Sequence, residues 1–373
     1  MKKKYIIITT VTLVMVITFI TYFNYLKNNR IYKEENVNKS IEVAKSISMM
    51  LEQTAGAGDY KTVTQSKWPS GGYKFNFELS MCENDSTLKW DDTKKAVIVS
   101  GNLSDKCFVY FDKLPKLVDY IKAKYTGTQG DNALYYHNST LTNGAGDNSY
   151  RYAGASDSVN NYICLGSDEA TCPDANLFRI IGVFGAQTKV IRAKSVGYQK
   201  WHTSADNTWS SSSLNAYLNG TYLTSLGTIA EKIATTTWKV GGGSWSNIGT
   251  SVPKTVYQYE VGSSATSTTY DAKIGLMYVS DYGFAADQSG WTTKLSSYNS
   301  NTSKNWLYLG SNEWTISRNP DFTYRAFGVF STGVVSYESV VTSFSARPSF
   351  NLESSVKYVS GSGSKSDPVR VTD

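Results

Sequence analysis

Histidine is almost absent from this chain: His137 and His202 are the only two in 373 residues. Catalysis by a Ser-His-Asp or Cys-His set needs an imidazole to take the nucleophile's proton. Neither histidine sits in a motif of that kind, since His137 falls in a polar stretch and His202 in the loop Gln199-Lys-Trp-His-Thr. No Gly-x-Ser-x-Gly elbow occurs, and the Ser-x-x-Lys spacings at Ser354/Lys357 and Ser362/Lys365 are what chance gives in a chain rich in both residues. Gly241-Gly-Gly243 lacks the Gly-Lys-Ser/Thr of a phosphate loop and reads as a hairpin turn. There is no CxxC and neither histidine is near a cysteine, so no zinc site is expected. Sequence repeats of the solenoid or propeller kind are missing too.

Acidic residues are missing from the first thirty positions, which hold Lys2, Lys3, Lys4, Lys27 and Arg30. With those five set aside, the remaining chain carries 32 basic against 31 acidic groups. A body that neutral has no clustered basic face for a phosphate backbone, so nucleic acid is excluded as a partner. With 40% hydrophobic and 18% charged residues, the chain is rich enough in apolar side chains to fold around a core.

Between Tyr5 and Leu26 there is no charge at all. A helix over that run would be about 33 Å long, the thickness of a bilayer's hydrocarbon core. A cleaved signal peptide would instead have a shorter apolar region and a small-x-small site, whereas Tyr22-Phe-Asn-Tyr-Leu26 follows here. The reading is an uncleaved single-pass anchor over residues 1–30. Lys2 to Lys4 place the N-terminus in the cytoplasm and the body outside the cell. The four cysteines fit an exported chain, and proximity favours the pairs Cys82–Cys107 and Cys164–Cys172 among the three connectivities open to them.

Residues 31 to about 55 are expected to continue as a helix, from apolar positions such as Val37, Ile41, Ile47 and Leu51 at three- and four-residue steps. Short strands are expected at Tyr73–Leu79, Thr87–Trp90, Ala96–Val99 and Cys107–Phe111, and a short helix over Lys113–Tyr125. The polar stretch 126–160 reads as a linker or the first edge of the next module. From 161 to 373 the pattern is mostly β, with a hairpin at Leu177–Phe184 and Lys189–Ala193 and a helix at Ser213–Leu226. The fold class is therefore α+β: a membrane helix, a helix with a β meander over 31–125, and a strand-dominated outer domain.

A membrane helix running into a charged helix and a disulfide-bearing β meander resembles a type IV pilin or pseudopilin over residues 1–125. It departs from that family at the processing site: no Gly occurs before Gly56, and Tyr5–Leu26 contains no Glu. A second resemblance rests on Asn148-Ser-Tyr-Arg-Tyr-Ala-Gly154, Leu177-Phe-Arg-Ile-Ile-Gly-Val183, Ile274-Gly-Leu-Met-Tyr-Val-Ser-Asp-Tyr-Gly-Phe-Ala285 and Arg347-Pro-Ser-Phe-Asn-Leu352. On these segments, residues from about 130 to 373 are similar to an uncharacterised extracytoplasmic domain family in surface proteins of gut Firmicutes and Mollicutes-like bacteria. That family implies a surface location; it has no known activity and so points to no particular function. The Arg-Pro-x-Phe strand and scattered tryptophans also give a weak likeness to the C-type-lectin-like fold, without the lectins' calcium signatures.

Paired carboxylates hydrolyse sugars when held about 5–10 Å apart, and Asp281 with Asp287 or Glu313 with Asp321 are the candidate pairs. Asp/Asn turns at Asp147-Asn148, Asp168-Glu169 and Asp206-Asn207 offer oxygen ligands for calcium, though none has EF-hand spacing; no cofactor is otherwise expected. Aromatic faces beside hydrogen-bonding side chains suit a sugar ring or a protein partner. Trp238 and Trp306, with apolar neighbours, are assigned to the core. Trp245, Trp291 and Trp314 lie in polar, turn-rich stretches and are, with Asp281, the expected ligand-binding residues. Arg347 is expected to be a buried arginine pairing with a carboxylate or loop carbonyl. The function expected is non-catalytic binding or adhesion to a glycan or protein at the cell surface. The alternatives are an envelope hydrolase and a minor pilus or secretion component.

Overall fold

The computed structural model describes residues 47–64, 68–69, 71–91, 93–101 and 105–372. The expected membrane helix, and the helix over 31–46, lie outside the described residues. Among the described residues no helix is long and apolar enough to cross a membrane. The fold is mixed α+β and dominated by strands, in two compact units that divide between Lys113 and Leu114.

The first unit is a four-stranded sheet in the order Tyr60–Val63, Ile47–Glu52, Cys107–Lys113, Tyr73–Cys82, with a separate hairpin of Thr87–Asp91 and Ala96–Ser100. The strand Ile47–Glu52 corrects the expected helix over its last turns. Its buried apolar residues, Met49 and Leu51, are two apart, which is strand periodicity, and it runs parallel to Cys107–Lys113. A helix-like spacing of Ile47 and Leu51 satisfied both templates until a partner strand was available. Gly56 and Gly58 do end the element, both at positive φ. Cys82 and Cys107 face each other across paired strands and are disulfide-bonded.

In the second unit a nine-stranded sheet has the path Ile274–Gly275, Ser349–Leu352, Gln187–Arg192, Leu177–Phe184, Tyr162–Cys164, Val369–Thr372, Lys357–Ser360. The stretch 126–160, read as a linker, contributes Leu134–His137 and Ser149–Tyr152 to this sheet through the Leu177–Phe184 strand. Gly182 makes that junction possible, because a Cβ there would lie 2.1 Å from the Tyr150 carbonyl oxygen. The short helix Leu117–Ala123 also belongs to this unit, and its Leu117, Val118 and Ile121 join the core. A five-stranded sheet follows the order Tyr198–Lys200, Ser343–Ser345, Glu313–Arg318, Arg325–Val329, Val335–Ser339. Cys164 and Cys172 form the second disulfide. Two disulfides fit an extracellular or otherwise oxidising environment.

Candidate functional site

Asp281 is only 3% exposed and does not face solvent or a cleft. It caps the helix Val279–Phe284, where its Oδ2 accepts the Tyr278 N–H at 2.8 Å. The same oxygen accepts from Lys189 Nζ at 2.5 Å, and Arg151 Nη1 lies 3.6 Å from Oδ1. Arg151 also donates to Asp147 Oδ2 at 2.6 Å and to Ser149 Oγ at 2.8 Å. Burial pushes the Asp147 carboxyl up, but the Arg151 guanidinium and Ser149 outweigh it and hold the group down at about 2. Burial lowers the Lys189 ammonium against the opposing pull of Asp281. The Phe184, Tyr257 and Phe284 rings surround Arg151 with centroids 4.6, 5.2 and 5.0 Å from the guanidinium carbon. Every charge here has an internal partner, so Asp281 is a structural acid and is corrected as a ligand-binding residue.

The other expected acids are engaged one by one. Glu313 is buried in a two-pronged pair with Arg347, at 2.6 and 2.8 Å, and Arg347 Nη2 also donates to the Leu307 carbonyl at 2.6 Å. Asp287 caps a short turn by accepting the Ser289 N–H at 3.0 Å, while Asp321 is exposed on a loop. Each suggested carboxylate pair therefore contains at least one acid already held by an internal partner. An open cleft of about 580 Å³ near Lys124, Tyr135 and Lys304 has Asp287 as the single acid in its lining. Two of the three calcium turns are likewise used locally: Asp147 by Arg151, and Asp206 Oδ1 by the Thr208 N–H and hydroxyl at 3.1 and 2.9 Å. Among the described residues no three His, Cys, Asp or Glu side chains gather as a metal ion would need.

Two of the three expected tryptophans are corrected as well. Trp291 and Trp314 have no exposed surface. Trp291 packs against Phe284, Tyr135 and His137 and donates to the Ala286 carbonyl at 2.9 Å. Trp314 stacks on Phe344 at 4.5 Å and donates to the Gln199 carbonyl. Their sequence neighbours are polar, but partners far along the chain cover the rings.

Trp245 is different. It opens the short helix Trp245–Ile248 and is half-buried. The ring lies over Gly249, where a Cβ would be 2.0 Å from the indole, so the small residue gives the ring its seat. Tyr337 meets it edge-on at 5.3 Å, and Phe322 sits 5.8 Å from Tyr337 and 6.2 Å from Tyr324. Phe322 and Tyr324 are each 39% exposed. Arg325 lies among these rings, 5.2 Å from Phe322, 5.2 Å from Tyr324 and 4.8 Å from Tyr337.

The loop that presents Phe322 and Tyr324 is held rigidly. Asn207 is buried, and its side-chain amide donates to the carbonyls of Asn319, Phe322 and Arg325 at 2.8, 3.0 and 2.7 Å. The Asn207 backbone N–H adds a bond to the Thr323 carbonyl at 2.6 Å, and the loop closes on itself through Asn319 N–H to Arg325 O at 3.1 Å. Two aromatic rings are thus held partly in water on a pinned loop, so little loop entropy would remain to be lost if a partner met them. Phe322, Tyr324, Arg325 and Tyr337 were not singled out in the sequence. The available signal was Asn319-Pro-Asp-Phe-Thr-Tyr-Arg325, a turn-rich segment that carries aromatics where a loop ordinarily carries polar residues.

A family model described as a domain of unknown function (DUF6273) matches residues 186–354. The match contains Asn207, Trp245 and the whole Asn319–Arg325 loop, so the aromatic surface falls inside the shared domain. No curated protein and no solved structure matches the chain.

Proposed function

We propose that the chain is a membrane-anchored surface protein of a Gram-positive-type bacterium whose second unit binds a glycan outside the cell without cleaving it. The N-terminal apolar segment supplies the membrane contact, and the disulfides agree with a body outside the cell. The observation that carries the binding reading is the exposed pair Phe322 and Tyr324 on a loop pinned by Asn207, with the half-buried rings of Tyr337 and Trp245 beside it. Rings of this kind give a large contact area at low entropy cost.

The test is binding of the full chain to an array of neutral and charged glycans. The Phe322→Ala/Tyr324→Ala double variant should lose at least tenfold in affinity while its unfolding temperature stays within a few degrees of wild type. Binding that survives the double variant, or release of soluble sugar from the array, would overturn the reading. So would capture of a purified protein partner through this surface with no glycan bound.

A further inference from the structure

The second unit contains seven arginines, and six of them donate to an acceptor within the unit. Arg151 takes Asp147, Arg347 takes Glu313, and Arg179 takes Asn161 and several carbonyls. Arg192, Arg318 and Arg370 each donate to backbone carbonyls. Arg325 is the exception: among the described residues it has no ion pair and no side-chain hydrogen bond, only the three surrounding rings.

We infer that Arg325 is the anchor for a carboxylate on the bound sugar, so that the aromatic surface selects uronic or sialic acid residues over neutral ones. This rests on the glycan-binding reading above and names the chemical class of its ligand. A guanidinium presents five N–H donors in a fixed fork that matches a carboxylate in a two-pronged pair. The aromatic neighbours displace part of its water, which strengthens any pair it forms. An acidic pyranose has both parts that this surface calls for: an apolar C–H face for Phe322 or Tyr324 and a carboxylate at the ring's edge for Arg325. The protein already contains the filled version of this arrangement, since Arg151 lies among three rings and holds carboxylates.

The decisive comparison is calorimetric, with full chain titrated against trigalacturonate, sialyllactose and the methyl ester of each. Esterification keeps the rings and removes the charge. Wild type should bind at least one acid about tenfold or more tightly than its ester, the size of a charge-assisted hydrogen-bonded pair, and the gap should narrow in high salt. Arg325→Gln should bring acid and ester to the same affinity without weakening the ester. Arg325→Lys should restore part of the preference, because it keeps the charge and loses the fork. Acid and ester bound alike by wild type would overturn this inference and leave the glycan-binding reading standing. Folded wild type that binds no saccharide of either kind would overturn both.

Discussion

Arg151 and Arg325 occupy the same kind of surroundings and have opposite fates. Each guanidinium has three aromatic rings within about 5 Å. Around Arg151 the space between the rings is closed by Asp147 and Asp281, with Lys189 behind them, and the side chain is 3% exposed. Around Arg325, among the described residues, neither Asp321 of the same loop nor Glu338 of the paired strand forms an ion pair with the guanidinium, and the rings of Phe322 and Tyr324 remain partly in water. Charge buried without a partner is too costly to keep, so the interior site had to bring its own acids. A partly exposed guanidinium can use water instead, and Arg325 is partly exposed. The difference separates a group that holds the domain together from one that is available to a ligand.

The largest effect should come from breaking the closed site. Asp281→Ala leaves Lys189 and Arg151 facing each other with one acid fewer, and the expected loss of stability is about 3–5 kcal/mol, read by chemical denaturation. Next comes the loop. Asn207→Ala takes the donor from three carbonyls and should cost about 1–3 kcal/mol. Faster amide exchange over residues 319–325 than over the adjoining Arg325–Val329 strand would confirm that the loss is local.

A pH titration tests Asp147. Its folded-state pKa is depressed to about 2 from 3.8, so the stabilisation it gives is present above the unfolded value and is lost as pH falls through the folded one. The difference in stability between wild type and Asp147→Asn should be about 2 kcal/mol at pH 6 and shrink steadily between pH 4 and 2. Glu260 and Glu313, raised by burial, act with the opposite sign, which is why the variant difference and not the wild-type curve is the quantity to measure. The smallest effect is expected at the open site: Arg325→Gln should change stability by about 0.5 kcal/mol or less, as exposed positions do. A loss as large as that of Asp281→Ala would erase the contrast between the two arginines.

Much of the scaffold was readable along the chain. The four short strands of the first unit, the hairpin from Leu177 and the pairing of neighbouring cysteines all depend on residues close in sequence. Arg347 was readable too, because an arginine before a proline in an apolar strand needs an acceptor, and Glu313 provides it. What could not be read depends on distant partners. Ile47–Glu52 is a strand because Cys107–Lys113 pairs with it. Trp314 is covered by Phe344, and the residue that fixes the Asn319–Arg325 loop, Asn207, lies more than a hundred positions before it. Of the four residues expected to bind ligand, Trp245 alone is placed on the exposed aromatic surface, and its ring companions come from a segment whose pattern looked like an ordinary turn.

The strand Val369–Thr372 lies between Tyr162–Cys164 and Lys357–Ser360, pairing in parallel with the first and antiparallel with the second. Arg370 reinforces the position by reaching the Ser167 carbonyl, 203 residues earlier. During synthesis this order sets a schedule. The Tyr162–Cys164 strand emerges long before its neighbour and must wait with one edge unpaired, while contacts of such long sequence separation form slowly. The unit therefore completes its main sheet only after nearly all of the described chain is available to fold. Until then, that edge is open to pairing with another chain.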